Sequence, residues 1–114
     1  MIRNGGRVTY ETKGDVMVVH IGGEIDHHSA VSVRTAIDEE ITAKRPKKVL
    51  LELSSVDFMD SSGLGLIMGR LALMNRYGGE LALLDPSAAV LKIVKLAGME
   101  RMVAILRTKT KTEG

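Results

Sequence analysis

The sequence predicts one α/β domain, a mixed and mostly parallel sheet opened by a β-hairpin, with helices packed on it. Three observations carry that expectation. The opening stretch holds two strand-like segments, Arg7–Thr12 and Val16–Ile21, separated by the turn residues Lys13-Gly14-Asp15. Beyond it, helical periodicity alternates with short apolar runs, the pattern of strands joined by crossover helices. The composition, 45% apolar and 26% charged over 114 residues, suits a single core and leaves no room for a second domain.

Each element has a local reason. Arg7–Thr12 alternates in polarity, Val16–Ile21 is apolar on most positions, and Gly22-Gly23 is expected to end the hairpin. Asp26 then stands where it can cap a helix from His27 to Lys44, with Ala30, Val33, Ile37 and Ile41 on one face and Pro46 closing it. The next strand is Lys48–Leu53. A helix follows from about Ser62 to Arg76, with Leu64, Ile67, Met68 and Leu71 as its inward stripe and Gly78-Gly79 as its stop. Glu80–Leu84 is a further short strand. Asp85-Pro86-Ser87 opens a third helix, in which Ala88, Leu91, Ile93, Val94 and Leu96 follow and Gly98 is the stop. Met102–Leu106 is the last expected strand, and 108–114, polar and without periodicity, reads as a frayed tail of the single 1–114 domain.

Composition also narrows the function. There is no cysteine, so disulfide and thiol chemistry are excluded. A net charge of +2 with one Phe, two Tyr and no Trp offers neither the basic field nor the stacking platforms of a direct nucleic-acid binder. No run approaches the roughly 20 apolar residues of a membrane helix, and Met1 to Asp15 has no signal core, so a cytoplasmic protein without membrane attachment is expected. Adjacent His27 and His28 diverge at a helix start, which argues against a metal site, and no Gly-x-Ser-x-Gly elbow accompanies them. Ser62-Gly63-Leu64-Gly65 lacks the Gly-Lys-Ser ending of a phosphate-binding loop, so no cofactor is expected. The basic residues Lys92, Lys95, Arg101, Arg107, Lys109 and Lys111 read as a solvated face.

The chain is organised around Phe58-Met59-Asp60-Ser61-Ser62-Gly63-Leu64-Gly65-Leu66-Ile67-Met68-Gly69-Arg70. Here a buried strand hands over to a helix, whose entrance has free backbone N–H groups and partial positive charge. Either Asp60 or Ser61 can supply the capping oxygen. Gly63 and Gly65 are poor helix formers, yet they let another molecule approach the backbone. A second strip on this helix, Leu66, Arg70, Leu73 and Tyr77, is core if a neighbouring helix covers it and a docking surface if none does; core is the expectation.

Together, Gly23-Glu24-Ile25-Asp26-His27-His28, the Asp60-Ser61-Ser62-Gly63-Leu64-Gly65 core and Gly78-Gly79-Glu80 resemble the STAS domain of bacterial anti-sigma factor antagonists, in particular the sporulation type. The resemblance spans roughly 16–106 and implies a STAS-like fold in a non-enzymatic switch protein. It maps the phosphorylated serine onto Ser61, with Ser62 as the alternative. The implied partners are a kinase-type anti-sigma factor, which supplies the ATP and magnesium chemistry, and a serine phosphatase that resets the switch. The implied partner surface is Glu24, Asp26, His27 and His28 with Asp60, Ser61, Ser62, Gly63, Leu64, Gly65, Leu66 and Arg70. Two other readings stand beside it: a STAS subunit of a lipid-transport or stress-signalling assembly, and a receiver-like domain phosphorylated on Asp57 or Asp60.

Overall fold

The computed structural model describes residues 6–108. Five strands lie side by side in chain order: β1 (Arg7–Lys13), β2 (Val16–Ile25), β3 (Lys48–Met59), β4 (Glu80–Leu84) and β5 (Ala104–Leu106). The β1–β2 pair is antiparallel and every later pair is parallel. Three helices make the crossovers, α1 (His27–Lys44), α2 (Ser61–Arg76) and α3 (Ala88–Leu96). Right-handed crossovers that always step the same way across a sheet must put their helices on one face. All three do pack there: α1 against β1 and β2, α2 against β3 and β4, α3 against β3, with α2 touching both other helices.

Strand alternation supplies the core on that face. Met17, Val19 and Ile21 of β2, Val49, Leu51 and Leu53 of β3, and Leu81 and Leu83 of β4 are buried there, against Val33, Ile37 and Ile41 of α1 and Val90 and Val94 of α3. The opposite face carries no helix among the described residues. It shows Arg7, Thr9 and Glu11 beside Val18 and His20, then Leu50 and Glu52.

Two strands run further than their apolar patterns predict. β2 does not stop at Gly22-Gly23 but continues to Ile25, and β3 continues past Leu53 to Met59. The extensions pair with each other through two register shifts, between His20 and Gly22 and between Gly23 and Glu24. Gly23, at φ 85°, accepts a backbone that residues with a Cβ rarely adopt. These irregularities break the alternation, so the extended pairing leaves no period-two signal. The last strand is shorter than expected, because a 3-10 turn at Met99–Arg101 occupies the approach to it. Of the expected tail, 109–114 lies outside the described residues.

The second helix is phased differently from the expected stripe. Gly63, Leu66, Ile67, Arg70 and Met74 are its buried residues, while Met68 is exposed and Leu64 and Leu71 are half-buried. α2 lies between α1, the sheet and α3, so it needs apolar residues around most of its circumference. Periodicity alone cannot phase such a helix. Of the second strip, Leu66 and Arg70 are core beneath α1, as expected, and Leu73 is half-buried against that core, but Tyr77 at the end of the helix is exposed.

Candidate functional site

Two helix entrances stand side by side because their feeding strands are paired. β2 and β3 end together at Ile25 and Met59, and each is followed by an aspartate. Asp60 N–H donates to the Ile25 carbonyl at 3.2 Å, tying the two exits. Asp26 caps α1 in a capping box: its carboxylate accepts from the backbone N–H groups of His28 (3.0 Å) and Ser29 (2.9 Å), and its own N–H donates to Ser29 Oγ (3.0 Å). Ser29 Oγ in turn donates to the Glu24 carbonyl at 2.7 Å, which fixes the 24–29 loop. The Ser29 backbone bond is the main reason the Asp26 carboxyl titrates below its ordinary range; desolvation opposes it, and the Ser29 side chain and the His28 backbone add to the lowering.

Asp60 is the cap of α2, its carboxylate accepting the Ser62 N–H at 2.8 Å. Ser61 is the first helical residue; it is exposed, and its hydroxyl makes no hydrogen bond among the described residues. The sequence left the cap open between Asp60 and Ser61. With Asp60 in that role, the Ser61 hydroxyl is unengaged, beside N–H groups at the positive end of a 16-residue helix. Ser62 is half-buried and faces a groove between α1 and α2.

That groove, about 270 Å³, is lined by His27, Ala30, Val31 and Arg34 of α1 and by Ser62, Gly65 and Leu66 of α2. Around it, Glu24, His27, His28 and Gly65 are exposed and Asp26, Asp60 and Leu64 are half-buried. Two members of the expected partner surface are corrected. Gly63 is buried, and a Cβ there would overlap Met59, so its lack of a side chain serves internal packing. Arg70 is 6% exposed, its Nε 2.8 Å from Asp38 Oδ1 on α1, so it joins the two helices from inside. Leu66 is also buried, yet its side chain forms part of the groove floor.

Sequence reasoning missed two features near the site and one on the far side of the sheet. Val31 and Phe58 are 49% and 48% exposed, large apolar side chains flanking the Ser61 entrance on α1 and β3. Arg34 belongs to the groove, and its signal was only its position, two turns after the Asp26 cap. On the helix-free face, His20 lies between two carboxylates, Nδ1 2.8 Å from Glu52 and Nε2 3.2 Å from Glu11. Glu11 lies diagonal to His20 across the β1–β2 hairpin, but no spacing rule pairs His20 with Glu52, 32 positions away.

A mixed sheet in chain order with all its helices on one face, and two capped helix entrances beside each other, defines the class of fold. The model of the STAS domain matches residues 7–113, and the chain belongs to that family. It is 36% identical over 99 residues to an anti-sigma F factor antagonist of Paenibacillus polymyxa, covering 87% of this chain and 85% of that relative. The solved structure of the anti-sigma factor antagonist SpoIIAA in its unphosphorylated form superposes with TM-score 0.77 at 27% identity, over 91% of this chain and 90% of that one. The phosphorylated form of the Bacillus SpoIIAA superposes with TM-score 0.71 at 26% identity, over 91% and 93%. Among the described residues no helix is long and apolar enough to cross a membrane.

Proposed function

We propose that this chain is an anti-sigma factor antagonist, a binding protein rather than an enzyme, switched by phosphorylation of Ser61. Unmodified, it binds a kinase-type anti-sigma factor through the Asp26 loop and the entrance of α2, which frees a sigma factor. The kinase then phosphorylates Ser61, the complex separates, and a serine phosphatase resets the switch.

The observation that carries the proposal is the Ser61 hydroxyl, exposed and without a partner among the described residues at the first position of α2. Ser62 is the weaker acceptor, being half-buried where Ser61 is exposed. A phosphate on Ser61 would bring about −1.5 to −2 charges, which the helix entrance tolerates locally. The carboxylates of Asp60, Asp26 and exposed Asp57 would then crowd negative charge at the contact surface, and the partner would be repelled. Relatives named as anti-sigma F and anti-sigma-B factor antagonists support the partner class, and the existence of a phosphorylated SpoIIAA structure supports the modification. The receiver-like reading loses support at Asp60, whose carboxylate is engaged as a cap, and leaves Asp57 as its only acceptor.

The test is incubation with the cognate kinase and ATP followed by mass spectrometry with site localisation. Acid-stable phosphate on Ser61 is expected. An acid-labile acyl phosphate on Asp57 or Asp60 would replace this proposal with the receiver-like one.

A further inference from the structure

We infer that the groove between α1 and α2 receives a segment of the anti-sigma partner that carries an apolar side chain next to a carboxylate, with Gly65 as its floor and Arg34 as its charged anchor. This rests on the function proposed above and specifies the chemistry by which the partner is held.

Gly65 gives the first argument. It lies inside α2, where glycine weakens the helix relative to alanine. Nothing internal demands it: its φ is not positive, and a Cβ built there meets no atom within 4 Å. Gly63, two residues earlier, is the contrast, since a Cβ there would overlap Met59. Glycine at 65 therefore keeps the helix backbone bare toward the outside, where another molecule can approach it closely.

Charge gives the second argument. The groove presents Arg34 and His27 and no carboxylate. Arg34 is exposed and has no ion pair among the described residues, because the acid one turn along α1, Asp38, is paired with Arg70. Val31, 49% exposed, and Leu66 supply the apolar wall and floor. An apolar side chain seated on Gly65 with a carboxylate directed to Arg34 complements both parts. The groove also reaches Ser62, the neighbour of Ser61, so a phosphate on Ser61 would bring negative charge to the edge of the site that the carboxylate occupies.

The experiment is calorimetric titration of the full chain with its cognate kinase-type anti-sigma factor, beside thermal unfolding of each variant. Gly65→Ala is expected to raise Tm while weakening binding by about tenfold or more, because the added methyl occupies the floor. Arg34→Gln is expected to leave Tm unchanged, weaken binding by about tenfold and flatten its salt dependence. Lys92→Gln, at an exposed position of α3, should change neither. Ser61→Asp separates the two levels: if it weakens binding while Gly65→Ala and Arg34→Gln bind like the parent, the groove assignment is wrong and the switch stands. If the parent itself does not bind, the proposed function falls and the groove assignment falls with it.

Discussion

Arg70 and Asp38 link α2 to α1 from within: the guanidinium Nε is 2.8 Å from Oδ1, without the alignment of a directed hydrogen bond, while Nη1 reaches the Leu66 carbonyl at 3.4 Å. Burial pulls the Arg70 pKa down, Asp38 opposes that, and Arg34 adds to it. The arginine side chain is 7% exposed and the aspartate 37%. Removing the acid strands a buried cation, whereas removing the arginine leaves a carboxylate that water can reach. We therefore expect Asp38→Ala to lower stability by about 1–3 kcal/mol, less than a fully buried pair because Asp38 is partly solvated, and Arg70→Met to cost less. Urea unfolding of both variants checks the order; equal losses would contradict it.

His20 makes stability depend on pH. Both ring nitrogens lie at carboxylate oxygens, and only the doubly protonated ring can donate to both. The hydrogen bond to Glu52 is the main reason its pKa is raised above 6.5, with burial opposing and Glu11 assisting. A raised pKa means the contribution is fully present below about 6.5 and is lost as pH rises through the folded value. Glu52 moves the other way: burial raises it, but hydrogen bonds from Ser54 and His20 outweigh burial and leave it lowered. Its contribution is present above its ordinary 4.5 and is lost on acidification. Replacing His20 with Gln should flatten the stability profile from near neutral upward, read by thermal unfolding across pH, and reduce but not abolish the acid limb, which the Ser54 bonds to Glu52 also supply. A profile that still fell with rising pH in the variant would assign the effect elsewhere.

The cap assignment makes a separate prediction. Asp60→Ala removes the acceptor for Ser62 N–H and should cost about 1 kcal/mol, while Asp60→Ser should restore most of it. Ser61→Ala, whose hydroxyl bonds nothing among the described residues, should stay within about 0.5 kcal/mol of the parent. Denaturant titration separates the cases. A larger loss for Ser61→Ala than for Asp60→Ala would reverse the two roles.

The glycines of α2 divide by their surroundings. Alanine at Gly65 or Gly69, each open beyond the backbone, should stabilise the fold by about 0.5–1 kcal/mol. Alanine at Gly63 forces Met59 to move and should destabilise by about 1–3 kcal/mol. Differential scanning calorimetry reads both signs, and a stabilising Gly63→Ala would contradict the packing described.

Much of this architecture was legible in the sequence because it is written locally. The hairpin turn at Gly14, the Asp26 cap, the Asp85-Pro86-Ser87 helix start and the Gly98 stop each depend on residues a few positions apart, and all four appear where expected. What escaped depends on distant partners. The pairing of 22–25 with 55–59 passes through bulges, and the phase of α2 is set by α1 and α3 rather than by its own pattern. The strand-to-helix junction that forms the candidate site was readable from Asp60 and Ser61. Its groove was not, because Arg34 and Gly65 become neighbours only when the two helices pack.

Nothing in the fold obliges the backbone to move when Ser61 is modified, since the helix entrance already accepts negative charge. Amide NMR shifts of the two forms should therefore differ only within 23–28 and 57–67. Changes reaching β1 or β5 would show an allosteric transition in place of local repulsion.

The central claim is that phosphate on Ser61 decides partner binding. Its most direct test is the affinity of the cognate kinase-type anti-sigma factor for the protein before and after phosphorylation, with Ser61→Ala as the unmodifiable control. The account predicts tight binding before, a loss of about a hundredfold or more after, only partial recovery in added salt, and constant binding by Ser61→Ala under phosphorylating conditions. Equal affinity of the two forms, or loss of binding by Ser61→Ala once kinase and ATP are present, would contradict it.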